Sequence, residues 1–238
     1  MELLRGDGPI VRVGHRGAPV LAPENTLASI AAAADLGVDA VEIDVIGRAD
    51  GTVALAHSSD ALGQDDEASL DDALALVTDR RIGVQLDLKA SGHERAVADA
   101  VRRHGLLSRS FASTASTASL LALAAAEPSL RRALTYPDDR YGLSGNRFVR
   151  PVVRPSLAGL RQVLPLRLPR WLRHVGASAA TLNWTVVSTG AIRRCHALGV
   201  AVFVWTVDDP ELAERLERLG ADGIITNDPR IFARSLQT

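Results

Sequence analysis

Two short stretches near the start of the chain hold residue types that could do chemistry. Val13-Gly14-His15-Arg16-Gly17 leaves a histidine and an arginine where a buried strand runs into a tight turn. Val41-Glu42-Ile43-Asp44-Val45 reads as another buried strand, yet it carries two carboxylates. Side chains alternate along a strand, so Glu42 and Asp44 share one face while Val41, Ile43 and Val45 share the other. Two carboxylates on one face of a buried strand need a partner for their charge, and a divalent cation is an economical one. Asp87 and Lys89 repeat this parity on a later strand, opposite Leu86 and Leu88. Glu42, Asp44 and Asp87 together make an oxygen-rich site, better suited to Mg²⁺ or Ca²⁺ than to zinc. Arg16 and Lys89 add fixed positive charge, and a hard cation flanked by Arg and Lys suits a phosphate. His15 and His57 can serve as a general acid–base pair. Phosphodiester hydrolysis needs this set: neutralised non-bridging oxygens, a base for the nucleophile and an acid for the leaving alkoxide.

These residues need elements that bring them together. Strands are expected at 10–15, 39–45, 82–89, 109–112, 130–135, 177–182, 199–206 and 223–226, with a short extended piece at 52–57 that delivers His57. Helices are expected between them. One opens at Asn25 or Thr26 and stops at Gly37. Others cover 70–77, the stretch up to about 104, 117–126, 189–198, a segment capped by Asp208 and Asp209 with Pro210 in its first turn, and a terminal helix from Asp228-Pro229. Between 136 and 175, where proline and arginine are frequent, one helix at 156–163 is expected. Strand-then-helix alternation argues a parallel sheet with helices outside, and about eight units argue an α/β fold closed as a TIM-type (β/α)8 barrel. An open doubly wound sheet is the competitor. Closure is favoured because polar residues end strands from first to last, and only closure gathers those ends at one mouth.

Composition sets the bounds. A chain of 238 residues with 47% hydrophobic content can be one domain spanning 1–238. A net charge of −1 gives no drive toward nucleic acid. Cys195 is the one cysteine, so no intrachain disulfide forms. No signal peptide and no membrane span is read, so a soluble cytoplasmic protein is expected. Of the 27 basic residues only Lys89 is a lysine, which suggests a position that needs a compact ammonium. Glu24 is a site residue or a first-turn carboxylate favoured by the helix dipole. Trp205 is either barrel core or an apolar wall for the substrate, and its place at a strand end favours the wall. Asp65, Asp66 and Glu67 are expected in a solvated loop, and the arginine-rich stretch 147–173 on solvated surface.

Several of these motifs occur together in one known family. His15-Arg16-Gly17, Pro23-Glu24-Asn25-Thr26, Glu42-Ile43-Asp44, Asp50-Gly51, His57, Asp87-Leu88-Lys89, Trp205-Thr206-Val207 and Asp222-Gly223-Ile224-Ile225-Thr226 stand in the order seen in glycerophosphodiester phosphodiesterases. The chain resembles that family strongly over 10–60, 82–89 and 199–229, and weakly between about 105 and 180. The resemblance implies a metal-dependent barrel enzyme that hydrolyses small glycerophosphodiesters to glycerol 3-phosphate and an alcohol. It implies His15 and His57 as the acid–base pair, Glu42, Asp44 and Asp87 as metal ligands, and Arg16 and Lys89 as phosphate holders. The sequence departs from the family in three places. His57-Ser58-Ser59-Asp60 stands where the family has His-Asp, and Asp87 stands where it has Glu. The insertion after the second strand is cut to about residues 58–69. Two other readings remain: a phospholipase D-like enzyme of the same superfamily acting on lysophospholipids, and a catalytically impaired phosphate-binding barrel. Oligomeric state is left open.

Overall fold

The structure is a computed structural model that describes residues 1–63, 67–138 and 150–236. Eight parallel strands run β1 (Val11–His15), β2 (Ala40–Gly47), β4 (Gly83–Leu88), β5 (Ser110–Thr114), β6 (Arg131–Tyr136), β7 (Ala179–Asn183), β8 (Ala201–Trp205) and β9 (Gly223–Thr226). Each pairs with the next, and β1 pairs with both β2 and β9, which closes the barrel. The helices are α1 (Leu27–Asp35), α2 (Leu70–Asp79), α3 (Glu94–Arg103), α4 (Thr117–Ala126), α5 (Arg150–Val175), α6 (Thr189–His196) and α7 (Pro210–Arg218). The one exception to the alternation is β3 (Val53–Leu55), which folds back antiparallel on β2 with Val45 opposite Leu55. That hairpin delivers His57.

Strand parity sorts the side chains as alternation requires. Val41, Ile43 and Val45 of β2 and Val84, Leu86 and Leu88 of β4 pack outward in one large apolar layer with helix residues such as Ile30, Leu74 and Val97. Glu42, Asp44, Gln85 and Asp87 therefore face the barrel axis. A second cluster, including Val13, Phe111, Ala133, Ala179, Phe203 and Ile225, fills the interior. The rings of Phe111 and Phe203 meet 5.0 Å apart although β5 and β8 are not neighbours, so the interior is packed and not a channel.

Local chemistry fixes most boundaries. Thr26 caps α1, its Oγ1 accepting from Ser29 N at 3.2 Å, and Ser69 caps α2 by accepting from Asp72 N at 3.1 Å. Asp209 alone caps α7, accepting from Glu211 N at 2.8 Å; the expected second cap, Asp208, turns to another loop. The expected helix at 156–163 is instead the 26-residue α5. Proline removes a helical donor, which argues for a stop at Pro165. The chain passes through Pro165 and Pro169 because Leu164, Leu168, Leu172 and Val175 form a buried stripe at helical spacing. The terminal segment Pro229–Leu236 is a 3-10 helix and not the expected α-helix. The expectation for Glu67 is also corrected: its side chain is 5% exposed and pairs with Arg48. Asp65, Asp66 and Arg147 lie outside the described residues.

The turn after β1 is the most constrained piece. Arg16 and Asn25 both adopt positive φ, 52° and 59°, and Gly17 has φ 86°. Ser29 Oγ donates to Arg16 O at 2.8 Å and accepts from Ala18 N at 2.8 Å, which pins the turn to α1. A Cβ on Gly17 would meet Ser29 Oγ at 2.4 Å and Ser29 backbone at 2.5 Å. Gly17→Ala combines that clash with a strained φ, so it should cost more than about 1 kcal/mol in urea unfolding. A midpoint unchanged from the native protein would show that the turn can shift without loss.

Candidate active site

The C-terminal ends of the strands surround a cavity of about 300 Å³. His15, Arg16, Glu42, His57, Asp87, Lys89 and Trp205, all singled out from sequence, line it. Asp44 and Glu24 do not. Asp44 lies directly behind the wall with no exposed surface, and Glu24 stands half exposed outside it. One ligand atom each from Glu42, Asp44 and Asp87 lies within 4.8 Å of the others. The shorter Asp87 therefore still reaches the cluster.

Asp44 is the hub. Its Oδ2 accepts from Asn25 Nδ2 at 3.1 Å and from His57 Nδ1 at 2.9 Å, and lies 3.0 Å from Arg16 Nε. Its Oδ1 lies 2.7 Å from Lys89 Nζ. Lys89 also contacts Asp87 Oδ2 at 2.6 Å, so the single lysine bridges two carboxylates. Arg16 reaches back to Glu24 at 2.8 Å, which makes Glu24 a brace for the guanidinium and not a wall of the cavity. The two cations expected to hold phosphate thus also neutralise the acidic cluster.

The charges respond accordingly. Burial by itself would raise Asp44, but Lys89, the hydrogen bond from His57 and Arg16 outweigh it and hold its carboxyl far below the ordinary range. Burial and the neighbouring Asp44 charge push Glu42 well above its ordinary value, and Lys89 and Arg16 offset this only in part. Burial would lower Lys89, but Asp87, Asp44 and Glu42 raise it, so it stays charged. Burial, then Arg16, lowers His15, which is neutral at pH 7.

Sequence reasoning misses several residues. Asn25 reads in sequence only as a helix cap, yet its side chain clamps Asp44, accepting from Asp44 N at 3.0 Å while donating to Oδ2. Asn227 Oδ1 lies 2.7 Å from His15 Nδ1. On the far side of the mouth, Gln85 Nε2 donates to Ser113 Oγ at 3.0 Å, and Ser113 donates to Asp87 Oδ1 at 2.6 Å. Thr114, Thr135 and Thr181 continue this wall, the last two 2.7 Å apart. Their positions near strand ends are the one available signal; serine and threonine alone are too common in strands to single out.

Whether the acidic cluster fits a divalent cation rests on its donor set. Three carboxylates converge, two of them open to the cavity, and Glu42 is left with more negative charge nearby than Arg16 and Lys89 offset. A hard cation fits that set.

A sequence model of the glycerophosphoryl diester phosphodiesterase family matches residues 15–65 and 77–231. A glycerophosphodiester phosphodiesterase from Caldanaerobacter subterraneus is 24% identical over 252 residues, covering 91% of this chain and 93% of its own. Among solved structures, a glycerophosphodiester phosphodiesterase from Agrobacterium tumefaciens superposes with a TM-score of 0.72 at 22% identity, covering 95% of this chain and 100% of that one. A phosphodiesterase from Oleispira antarctica, solved with the product sn-glycerol-3-phosphate, gives a TM-score of 0.72 at 19% identity and 97% coverage of both chains. Both structural likenesses concern the fold. No helix among the described residues is long and apolar enough to cross a membrane.

The opposite shifts of Glu42 and Asp44 give opposite stability effects. A raised carboxyl costs stability as pH climbs from its ordinary 4.5 through its higher folded value. A depressed one contributes stability above its ordinary 3.8 and loses it as pH falls toward its lower folded value. At pH 7 with EDTA, Glu42→Gln should therefore raise the urea midpoint. Asp44→Asn should cost about 3–5 kcal/mol, because it strips a buried partner from Lys89, Arg16 and His57. Shifts of the same sign in both variants would contradict the assignment.

Proposed function

The chain belongs to the glycerophosphoryl diester phosphodiesterase family, and from that premise we propose that it hydrolyses glycerophosphodiesters to glycerol 3-phosphate and an alcohol with a divalent metal. The observation that carries this reading is the placing of two imidazoles on one cavity rim beside three convergent carboxylates. Each imidazole has its Nδ1 engaged, His15 with Asn227 and His57 with Asp44, so Nε2 is the atom left to exchange a proton in both.

Glu42, Asp44 and Asp87 would hold Mg²⁺ or Ca²⁺. When bound, the ion neutralises charge on the non-bridging phosphate oxygens. Lys89 Nζ donates to Asp87 Oδ2 and is ion-paired with Asp44 Oδ1, and an ammonium with three N–H groups keeps a donor for a phosphate oxygen. Arg16 stands on the same rim, ion-paired with Asp44 through Nε and hydrogen-bonded to Glu24 through Nη1. His15 and His57 act as the acid–base pair, one taking a proton from the nucleophile and one giving a proton to the leaving alkoxide. Trp205 closes one side of the cavity. The Oleispira antarctica structure holds sn-glycerol-3-phosphate, which supports a small phosphoester as occupant of the corresponding cavity here. The reading as a phospholipase D-like enzyme acting on lysophospholipids has less support, since the exposed large apolar residues among the described part include no aromatic side chain.

The direct test is turnover of glycerophosphocholine with and without EDTA. Release of glycerol 3-phosphate that stops on chelation and returns with Mg²⁺ or Ca²⁺ is expected; activity surviving exhaustive chelation would remove the metal from the reading. His15→Ala and His57→Ala should each lower kcat by roughly 10²–10⁴-fold, the usual effect of losing a positioned acid or base. KM should change much less, because Arg16, Lys89 and all three carboxylates remain in both variants. Near-native kcat in His57→Ala would assign its role to another group.

A further inference from the structure

We infer that Asn227 and Asp208 are positioning residues that hold His15 in the Nδ1–H tautomer, so that Nε2 meets the cavity as a proton acceptor. The inference rests on the proposed role of His15 in moving a proton.

A chain of hydrogen bonds runs inward from the surface. The Asp208 carboxylate can only accept. Its Oδ1 takes Thr226 Oγ1–H at 3.0 Å and Asn227 N–H at 2.8 Å. The Thr226 hydroxyl is free to donate there because its lone pair serves Asp228 N at 3.1 Å. Asp208 Oδ2 then faces the Asn227 side chain at 2.8 Å, and this contact requires the amide NH₂ on that side. The two ends of an amide differ chemically, so orienting one end orients the other. Asn227 Oδ1 must face His15 Nδ1, at 2.7 Å. A carbonyl oxygen cannot donate, so Nδ1 carries the hydrogen.

The other ring nitrogen meets no competing demand. His15 Nε2 is 3.9 Å from Glu42 Oε2, too far for a hydrogen bond, and that oxygen already accepts from Arg16 N at 2.9 Å. A neutral imidazole with hydrogen on Nδ1 has its lone pair on Nε2. His15 thus presents to the cavity the lone pair that a base requires. Asp208 touches neither His15 nor the cavity. It acts only by setting which way Asn227 points.

The fixed polarity of these bonds allows a swap test. In Asp208→Asn the new side chain keeps its oxygen on Thr226 and Asn227 N, and so turns its NH₂ toward Asn227. Two NH₂ groups cannot pair, so the Asn227 amide rotates and presents its own NH₂ to His15. Nδ1 must then accept, and the ring is driven to the Nε2–H form. In the double variant Asp208→Asn/Asn227→Asp every bond is satisfied again: the carboxylate that replaces the Asn227 amide accepts from His15 Nδ1 and from the new NH₂.

The experiment is ¹⁵N NMR of the histidine rings in the full chain, with His15 assigned by His15→Gln, alongside kcat and KM for glycerophosphocholine. The native protein should show a protonated Nδ1 and an unprotonated Nε2 at His15. Asp208→Asn should invert that pattern and lower kcat by about 10–100-fold, the range typical of losing a partner behind a site histidine, with KM changed less than about threefold. The double variant should restore the native pattern and most of kcat. A native His15 protonated on Nε2 would overturn the inference, as would an Asp208→Asn variant with unaltered tautomer and kcat. If the native chain turns over no glycerophosphodiester, the functional reading fails, while the NMR still decides the tautomer.

Discussion

A carboxylate with no exposed surface cannot stand alone, and much of the barrel mouth is arranged to satisfy Asp44. Taking an ion out of water costs several kcal/mol, which is recovered only through close partners with good geometry. Four side chains meet that demand, and they come from three connections: Arg16 and Asn25 from the two ends of the β1–α1 loop, His57 from beyond β3, and Lys89 from the end of β4. The buried charge thus acts as a clamp that draws three connections to one point. It explains why two residues near it, Arg16 and Asn25, accept positive φ: the backbone strain is offset by bonds to Asp44 and by the Ser29 latch.

The clamp works only because the sheet is closed. β1, β2 and β4 are neighbours in the barrel, so their C-terminal ends lie side by side and carry the charged groups. β5, β6 and β7 form the facing arc and carry hydroxyls: Ser113, Thr114, Thr135 and Thr181. The charged strand-end groups thus gather on the β1, β2 and β4 side, and the β5, β6 and β7 strand ends supply hydroxyls. The link between the two sides is Asp87, which takes Lys89 on one oxygen and Ser113 on the other. The β2–β3 hairpin breaks the parallel pattern at the one place where a side chain, His57, must be brought back over the strand ends.

The two imidazoles are supported in different ways. His57 rests on Asp44, a buried charge shared with the cation cluster. His15 rests on Asn227, a neutral amide whose orientation is borrowed from a surface carboxylate one loop away. The loop after β8 and the loop after β9 are tied together by Asp208, so the last strand of the barrel reaches back to the first at the site as well as in the sheet.

The alternation of strands and helices was legible in the residues themselves, because burial on both faces of a parallel strand and on one face of a helix leaves distinct periods. So was the gathering of His15, Glu42, Asp44, His57, Asp87 and Lys89 at one mouth, since charged groups on apolar strands have few structural explanations. The structure decided what each charge does once it has neighbours. Lys89 and Arg16 read as free cations in a linear chain, but in three dimensions they are held against carboxylates from other strands. Asn25 and Asp208 read as helix caps, because local spacing is all a sequence shows; their actual partners are set by chain closure, 19 residues away for Asn25 and 18 or 19 for Asp208. The length of α5 escaped for the same reason. Its prolines argue locally for a stop, and only the burial of Leu164, Leu168 and Leu172 against the barrel carries the helix through them. Period and polarity are properties of the chain, whereas partners are properties of the closed barrel.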